Sequence, residues 1–283
     1  MRYVSCFLFL SWLGGIGTAA DTKAAVPEDI QRAFTRLYNF DFPGTREVLA
    51  RHIGAHPADP LGYAVRAATY LFLELHRLCI LESEFLIDDG RIISRKRLKP
   101  DPEVKAQLWK AVADTQQRAR QRLAQNPNDR EALFSLCLVT GVLTDYTALV
   151  EKRQFGSLSY ARQSQVHAVR LLRLDPKFYD AYLTSGVNEY LVGSMPFFLR
   201  WFVRFEQVQG SKQAAIVKLE LVARSGQYLG PFAKILLAII HLREKRPQES
   251  ERLLRELTRE FPENPLLREE LARLEAQNSR GGR

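Results

Sequence analysis

The chain has 283 residues, of which 46% are hydrophobic and 26% charged. That is enough to bury a sizeable core, and the composition excludes a disordered or fibrous chain. The formal net charge of +9 favours anionic partners such as lipid head groups, acidic proteins or envelope polymers.

Residues 1–20, MRYVSCFLFLSWLGGIGTAA, have one positive residue, then an apolar run, then small residues. This is the pattern of a cleavable secretory signal, cut near Ala19 or Ala20. It predicts an exported protein of the periplasm or cell envelope and argues against nucleic acid as a partner. Gly14, Gly15 and Gly17 weigh against an uncleaved anchor helix. Beyond the signal, Cys79 and Cys137 remain. An oxidising compartment permits a disulfide between them; their apolar helical settings equally suit two buried thiols.

Strand signals are weak throughout, and helical spacing is strong. NFDFPGT (39–45) reads as a turn inside a first helical hairpin. Asp59-Pro60, Asp101-Pro102 and Asn264-Pro265 each place a capping side chain before a proline suited to a first helical turn. The basic stretch SRKRLKPDP (94–102) reads as a solvated loop. GPFAKILLAIIHL (230–242) and PQESERLLRELTREF (247–261) read as two paired helices, followed by a charged capping helix over 265–277. Residues 278–283 read as a disordered tail.

Four segments repeat one another: HPADPLGYAVRAATY (56–70), NPNDREALFSLCLVTG (126–141), DPKFYDAYLTSGVNEY (175–190) and FPENPLLREELARL (261–274). Each closes one helix at a proline and opens the next a few residues later. This resembles the tetratricopeptide repeat, a helix-turn-helix unit of about 34 residues. The resemblance implies a small residue where paired helices cross. Ala67, Cys137, Gly186 and Ala272 each stand ten residues past their proline, and Ala238 is a further packing position. Tyr63 and Tyr182 occupy matching large positions. The spacing is irregular: only the interval from Gly226, which stands in for a proline, to Pro262 approaches one simple repeat. The prediction is therefore an all-α, degenerate, right-handed solenoid of helical hairpins over 21–277, with inserted segments near 88–102, 151–157 and 194–210.

Residues 175–245 carry a second resemblance. Gly186 and Tyr190 on one helix, the Ser194-x-Pro196 turn, an apolar helix and Gly210-Ser211-Lys212 look like exported bacterial proteins with degenerate tetratricopeptide repeats. They are more distantly similar to the eukaryotic tetratricopeptide family linked to inclusion-body clearance. The resemblance implies a non-catalytic interaction role and transfers no catalytic residues.

No constellation of catalytic or cofactor-binding residues emerges. His52 and His56 share a helical face, but without a third ligand they read as surface histidines rather than a metal pair. Asp88-Asp89-Gly90 lacks the following oxygen ligands of a calcium loop. No HExxH, GxSxG or phosphate-loop motif occurs. Glu269-Glu270 and Glu249/Glu251 read as surface ion-pair residues.

The stretch MPFFLRWFVRF (195–205) fits a helix with a wide apolar arc, Phe198, Trp201, Phe202 and Phe205 together, and a narrow face of Arg200 and Arg204. It is too short and too charged to span a membrane. Three placements remain: a core helix, the lining of a groove for an apolar peptide or lipid, or a helix in a membrane interface. The candidate binding residues are Tyr70, Tyr190, Phe197, Phe198, Arg200, Trp201, Arg204 and Phe205. The expected function is a protein–protein scaffold that grips a protein or peptide on its concave face, for which Tyr63, Tyr70, Tyr182 and Tyr190 are candidates, with Tyr63 and Tyr182 reading rather as packing residues between hairpins because they match packing positions of the repeat. The alternative is a peripheral membrane or lipid-binding protein that uses the 195–205 helix.

Overall fold

The computed structural model describes residues 28–81, 99–194 and 208–281. The signal segment, the Asp88–Gly90 turn, most of the 94–102 basic stretch and the whole 195–205 helix lie outside the described residues.

Eleven α-helices and no strands are found among the described residues. They are α1 (Glu28–Tyr38), α2 (Phe42–Ala55), α3 (Pro60–Arg77), α4 (Pro102–Gln125), α5 (Arg130–Asp145), α6 (Gln154–Leu174), α7 (Tyr182–Ser194), α8 (Lys212–Ser225), α9 (Gly230–Arg243), α10 (Pro247–Glu260) and α11 (Pro265–Gly281). Consecutive helices pack as the pairs α1/α2, α3/α4, α5/α6, α7/α8 and α9/α10, and α11 covers the last pair. The all-α hairpin array predicted from the sequence is therefore the fold. In sequence, α7 ends at Ser194 and α8 begins at Lys212, and residues 195–207 between them lie outside the described residues. α11 continues to Gly281 rather than stopping at 277.

Two kinds of turn build the array. Between hairpins, Pro57, Pro127, Pro176 and Pro262 each sit second in a four-residue turn. The closing bonds run from Asp59 N to His56 O (3.0 Å), Asp129 N to Asn126 O (3.1 Å), Phe178 N to Asp175 O (3.1 Å) and Asn264 N to Phe261 O (3.2 Å). Proline fits this position because its fixed φ matches the turn. Tyr63 and Tyr182 donate their hydroxyls back to the carbonyls of Pro57 and Pro176, at 3.3 Å in both cases. Arg118 Nε reaches the Pro57 carbonyl at 2.7 Å, and Arg170 reaches that of Pro127. The repeated tyrosines thus brace the turns. The predicted caps also form: Asp59, Asp101 and Asn264 accept from the amides of Leu61 (2.9 Å), Glu103 (2.8 Å) and Leu266 (3.0 Å).

Within hairpins, the first helix ends on a left-handed residue. Phe40, Cys79, Lys152 and Lys245 have φ of 61°, 51°, 57° and 59° and follow α1, α3, the turn after α5, and α9. Three of these ends carry the wide closing bond of a Schellman motif: Asp41 N to Arg36 O, Ile80 N to Leu75 O and Arg246 N to His241 O. Glycine ordinarily holds such a site, because a Cβ costs about 1 kcal/mol there. Lys245 is exposed, so Lys245→Gly is expected to raise stability by up to about 1 kcal/mol, read as a higher urea midpoint at unchanged slope.

The small positions divide. Ala67, Cys137, Gly186 and Ala238 are buried, whereas Ala272 is exposed. Ala272 lies on α11, whose main packing partner among the described residues is α10. A Cβ at Gly186 would stand 2.9 Å from Leu219 Cγ and 3.4 Å from the Ala215 carbonyl. Leu219 is fully buried and has nowhere to retreat. Gly186→Val is expected to cost about 1–3 kcal/mol, measurable by thermal unfolding.

No disulfide joins Cys79 to Cys137. Cys137 is buried, with its Sγ 3.3 Å from Thr184 Oγ1, and burial pushes its thiol pKa up. Cys79 departs from the expected buried setting: it is exposed, because it turns the chain out of α3. His52, expected at the surface, is buried with Nε2 2.7 Å from Asp59 Oδ2. The α2–α3 turn folds this cap residue back over the ring. Glu270 is likewise buried, 3.2 Å from Arg273. Among the described residues, no group of three His, Cys, Asp or Glu is placed to hold a metal.

The expected insertion near 151–157 is short. α5 continues into a π-helical turn, Tyr146–Val150, and α6 begins at Gln154. Arg130–Val150 is long and apolar enough to cross a membrane, but 67% of it is buried inside the array, as befits a central core helix. Burial raises the Asp145 carboxyl from 3.8 to about 7. The folded chain therefore holds this proton where the unfolded chain has released it. Its stabilising contribution is full below about pH 3.8 and is lost as pH rises towards 7. Asp145→Asn is expected to remove that decline, seen by comparing urea midpoints at about pH 5 and about pH 8.

Candidate functional site

The first hairpin packs against the last ones. Tyr38, at the end of α1, donates its hydroxyl to the Tyr228 carbonyl at 2.9 Å, and the Tyr38 carbonyl accepts from Asn264 Nδ2 at 2.8 Å. Glu263 N donates to Asn39 Oδ1 at 3.2 Å. Aromatic rings fill the space between. Phe34 lies 5.3 Å from Tyr228, Tyr38 5.3 Å from Phe261, and Phe134 5.6 Å from Tyr228. Phe72 of α3 meets Phe232 of α9 edge-on at 5.6 Å. The array therefore closes on itself, and first helices far apart in sequence touch through rings. Aromatic side chains fill the space between the first hairpin and the last ones.

Asp180 fastens this seam. Its carboxylate is 3% exposed and accepts from the amides of Gln227 (2.8 Å), Tyr228 (3.0 Å) and Leu229 (2.7 Å). Burial raises its pKa, and the three amides pull the other way. The carboxylate takes over donors at the start of α9 that no helical bond can satisfy. Gly226 is needed beside it: a Cβ there would stand 2.6 Å from the Val222 carbonyl and 3.0 Å from Asp180 Oδ1. Gly226 thus replaces proline because a carboxylate, rather than a tight turn, organises this junction. Burial also raises the hydroxyl pKa of Tyr38 and Tyr228, with Asp180 adding to both shifts.

A cavity of about 310 Å³ opens along the seam, lined by Phe34, Thr35, Tyr38, Tyr228, Lys234 and Glu260 among others. Polar atoms make up most of its exposed lining, and the rings of Phe34, Tyr38 and Tyr228 are themselves buried. Lys234 Nζ stands 3.1 Å from Glu260 and 3.8 Å from Glu256.

The tyrosines expected on the concave face have other surroundings. Tyr63 is buried under the Arg118 guanidinium, 4.0 Å from the ring centroid. Tyr182 braces its turn. Tyr70 is half-buried against the cluster that holds Leu71, Leu75 and Tyr146. Tyr190 is buried and donates to Glu244 Oε1 at 3.0 Å, an oxygen that Lys212 Nζ also reaches at 2.7 Å. Lys212, then Tyr190, hold the Glu244 carboxyl below its usual range, while burial raises the Tyr190 pKa. Next to it, buried Glu189 accepts from Gln209 N (3.3 Å), Ser211 N (3.2 Å) and Lys218 Nζ (3.4 Å). Tyr190 and Glu189 thus tie α7, α8 and α9 together. The remaining candidates, Phe197, Phe198, Arg200, Trp201, Arg204 and Phe205, lie outside the described residues, and so does the support for the lipid-binding alternative.

Sequence reasoning missed Asp180, Tyr38 and Tyr228. Asp180 carried one readable signal, an acidic residue inside an otherwise apolar FYDAY run. Nothing local marks its partners 47–49 residues away.

No family model matches the chain, and no curated protein matches it in sequence. Among solved structures, it is similar to a thermophilic TPR protein of Thermus thermophilus, with 15% identity, a TM-score of 0.46, and coverage of 87% of this chain and 97% of that one.

Proposed function

We propose that this chain is a non-catalytic interaction scaffold of the periplasm or cell envelope that holds a protein or peptide partner. The observation that carries the reading is the architecture. Paired helices stacked in sequence present side chains from successive hairpins along one continuous surface, which suits an extended or helical partner better than a small substrate. The exported address is supported by the pattern of residues 1–20.

Crosslinking in the native envelope, followed by affinity capture and mass spectrometry, tests the reading. A reproducible protein partner is expected. Recovery of lipid alone, or of no reproducible protein, overturns it.

A further inference from the structure

The outward face of α6 differs from the rest of the surface. Among the described residues, five large apolar side chains are well exposed, and three of them lie on this helix: Phe155 (91%), Val166 (50%) and Leu174 (39%). The sequence of α6, QFGSLSYARQSQVHAVRLLRL, contains Arg162, Arg170 and Arg173 and no acidic residue. All three arginines are exposed. The helix surface is therefore both apolar in places and positive throughout.

The spacing orders these groups. Phe155, Arg162, Val166 and Arg173 are separated by 7, 4 and 7 residues. At about 100° per residue they fall on one line within roughly 20°, along about 27 Å of helix. Ring, cation, methyls and cation therefore alternate along a narrow stripe, and the polar Ser159, Gln163 and Arg170 lie beside it. Separations of 7 and 4 residues are those at which a second helix meets the first turn after turn. A membrane surface would instead require a broad apolar arc, which α6 does not have. Scattered exposed apolar residues are ordinary; their alignment with cations, on a helix that carries no acid, is the informative feature.

We propose that the outer face of α6 docks an acidic amphipathic helix of a partner protein. The partner's apolar residues would meet Phe155 and Val166, and its carboxylates would meet Arg162. Charge complementarity sets the sign of the partner, and the stripe sets its helical form. This rests on the reading of the chain as an interaction scaffold and names one of its surfaces.

The test uses the mature full chain and a labelled amphipathic peptide of about six helical turns, with leucine and glutamate along one face, followed by fluorescence anisotropy. The controls are the same peptide with lysine for glutamate and vesicles of phosphatidylcholine with phosphatidylglycerol. Saturable binding of the acidic peptide is expected, weakening as salt is raised. Phe155→Ala/Arg162→Glu should weaken it by about tenfold or more, with an unchanged melting temperature because both side chains are exposed. Equal binding by the variant, no saturable binding by the wild type, or equal binding of the lysine peptide overturns the proposal. Vesicle binding that the variant loses also overturns it, assigning the face to a membrane. Capture of the same envelope partner by wild type and variant leaves the scaffold reading standing and removes α6 from it.

Discussion

Asp180→Ala is expected to lower the stability of the fold by about 3 kcal/mol or more, because it strands buried amides that each cost about 1–3 kcal/mol when unpaired. The carboxylate binds Gln227, Tyr228 and Leu229 at 2.7–3.0 Å. The same Tyr228 receives the Tyr38 hydroxyl through its carbonyl. One residue therefore organises both the α8–α9 junction and the contact with α1. Urea unfolding followed by circular dichroism should show a lower midpoint. Asp180→Asn should lose less, since an amide oxygen still accepts. An Ala variant as stable as wild type would mean that Asp180 does not hold this junction.

Phe34→Ala is expected to cost about 3–5 kcal/mol, the range for removing a buried aromatic ring, and to lower the melting temperature by on the order of 10 °C. Phe34 is 2% exposed and lies between Tyr38 and Tyr228. Its ring belongs to α1 but packs on a turn near the other end of the chain, so the loss reports on closure of the array rather than on one hairpin. Limited proteolysis should then cut first near residues 39–41, where the α1–α2 turn is no longer pinned by Asn264 and Glu263. A variant with unchanged melting and cleavage would show that the first hairpin contributes nothing to the closed form.

Helices, caps and hairpin boundaries were legible because their causes are local. A proline with fixed φ, an aspartate before a helix and a tyrosine six residues past a proline act within a short stretch of chain. The observed turns at Pro57, Pro127, Pro176 and Pro262 repeat that chemistry with nearly the same hydrogen bond each time. The left-handed ends at Phe40, Cys79, Lys152 and Lys245 were not legible, because no glycine marks them. At three of them the wide closing hydrogen bond of the helix end offsets their intrinsic preference. Ala272 shows the opposite error. Its position in the repeat is right, but burial requires a neighbour, and among the described residues Ala272 stays exposed.

The candidate site was less legible. The sequence marked Tyr63 and Tyr182 as packing positions, but not Tyr190; all three have their hydroxyls committed to carbonyls or to Glu244. A pattern read along one helix shows which face is apolar, but not what lies across from it.

By itself the sequence determined that this protein is built from paired helices, where most of them begin and end, and that Gly186 sits where two of them cross, because backbone geometry and hydrophobic periodicity act over a few residues. Only the tertiary structure decided that the array closes, that Asp180 and Tyr38 meet at Tyr228, and that α6 turns its arginine-bearing face outward. Those outcomes depend on the accumulated rotation of successive hairpins, to which every interface contributes and which no single stretch of sequence encodes.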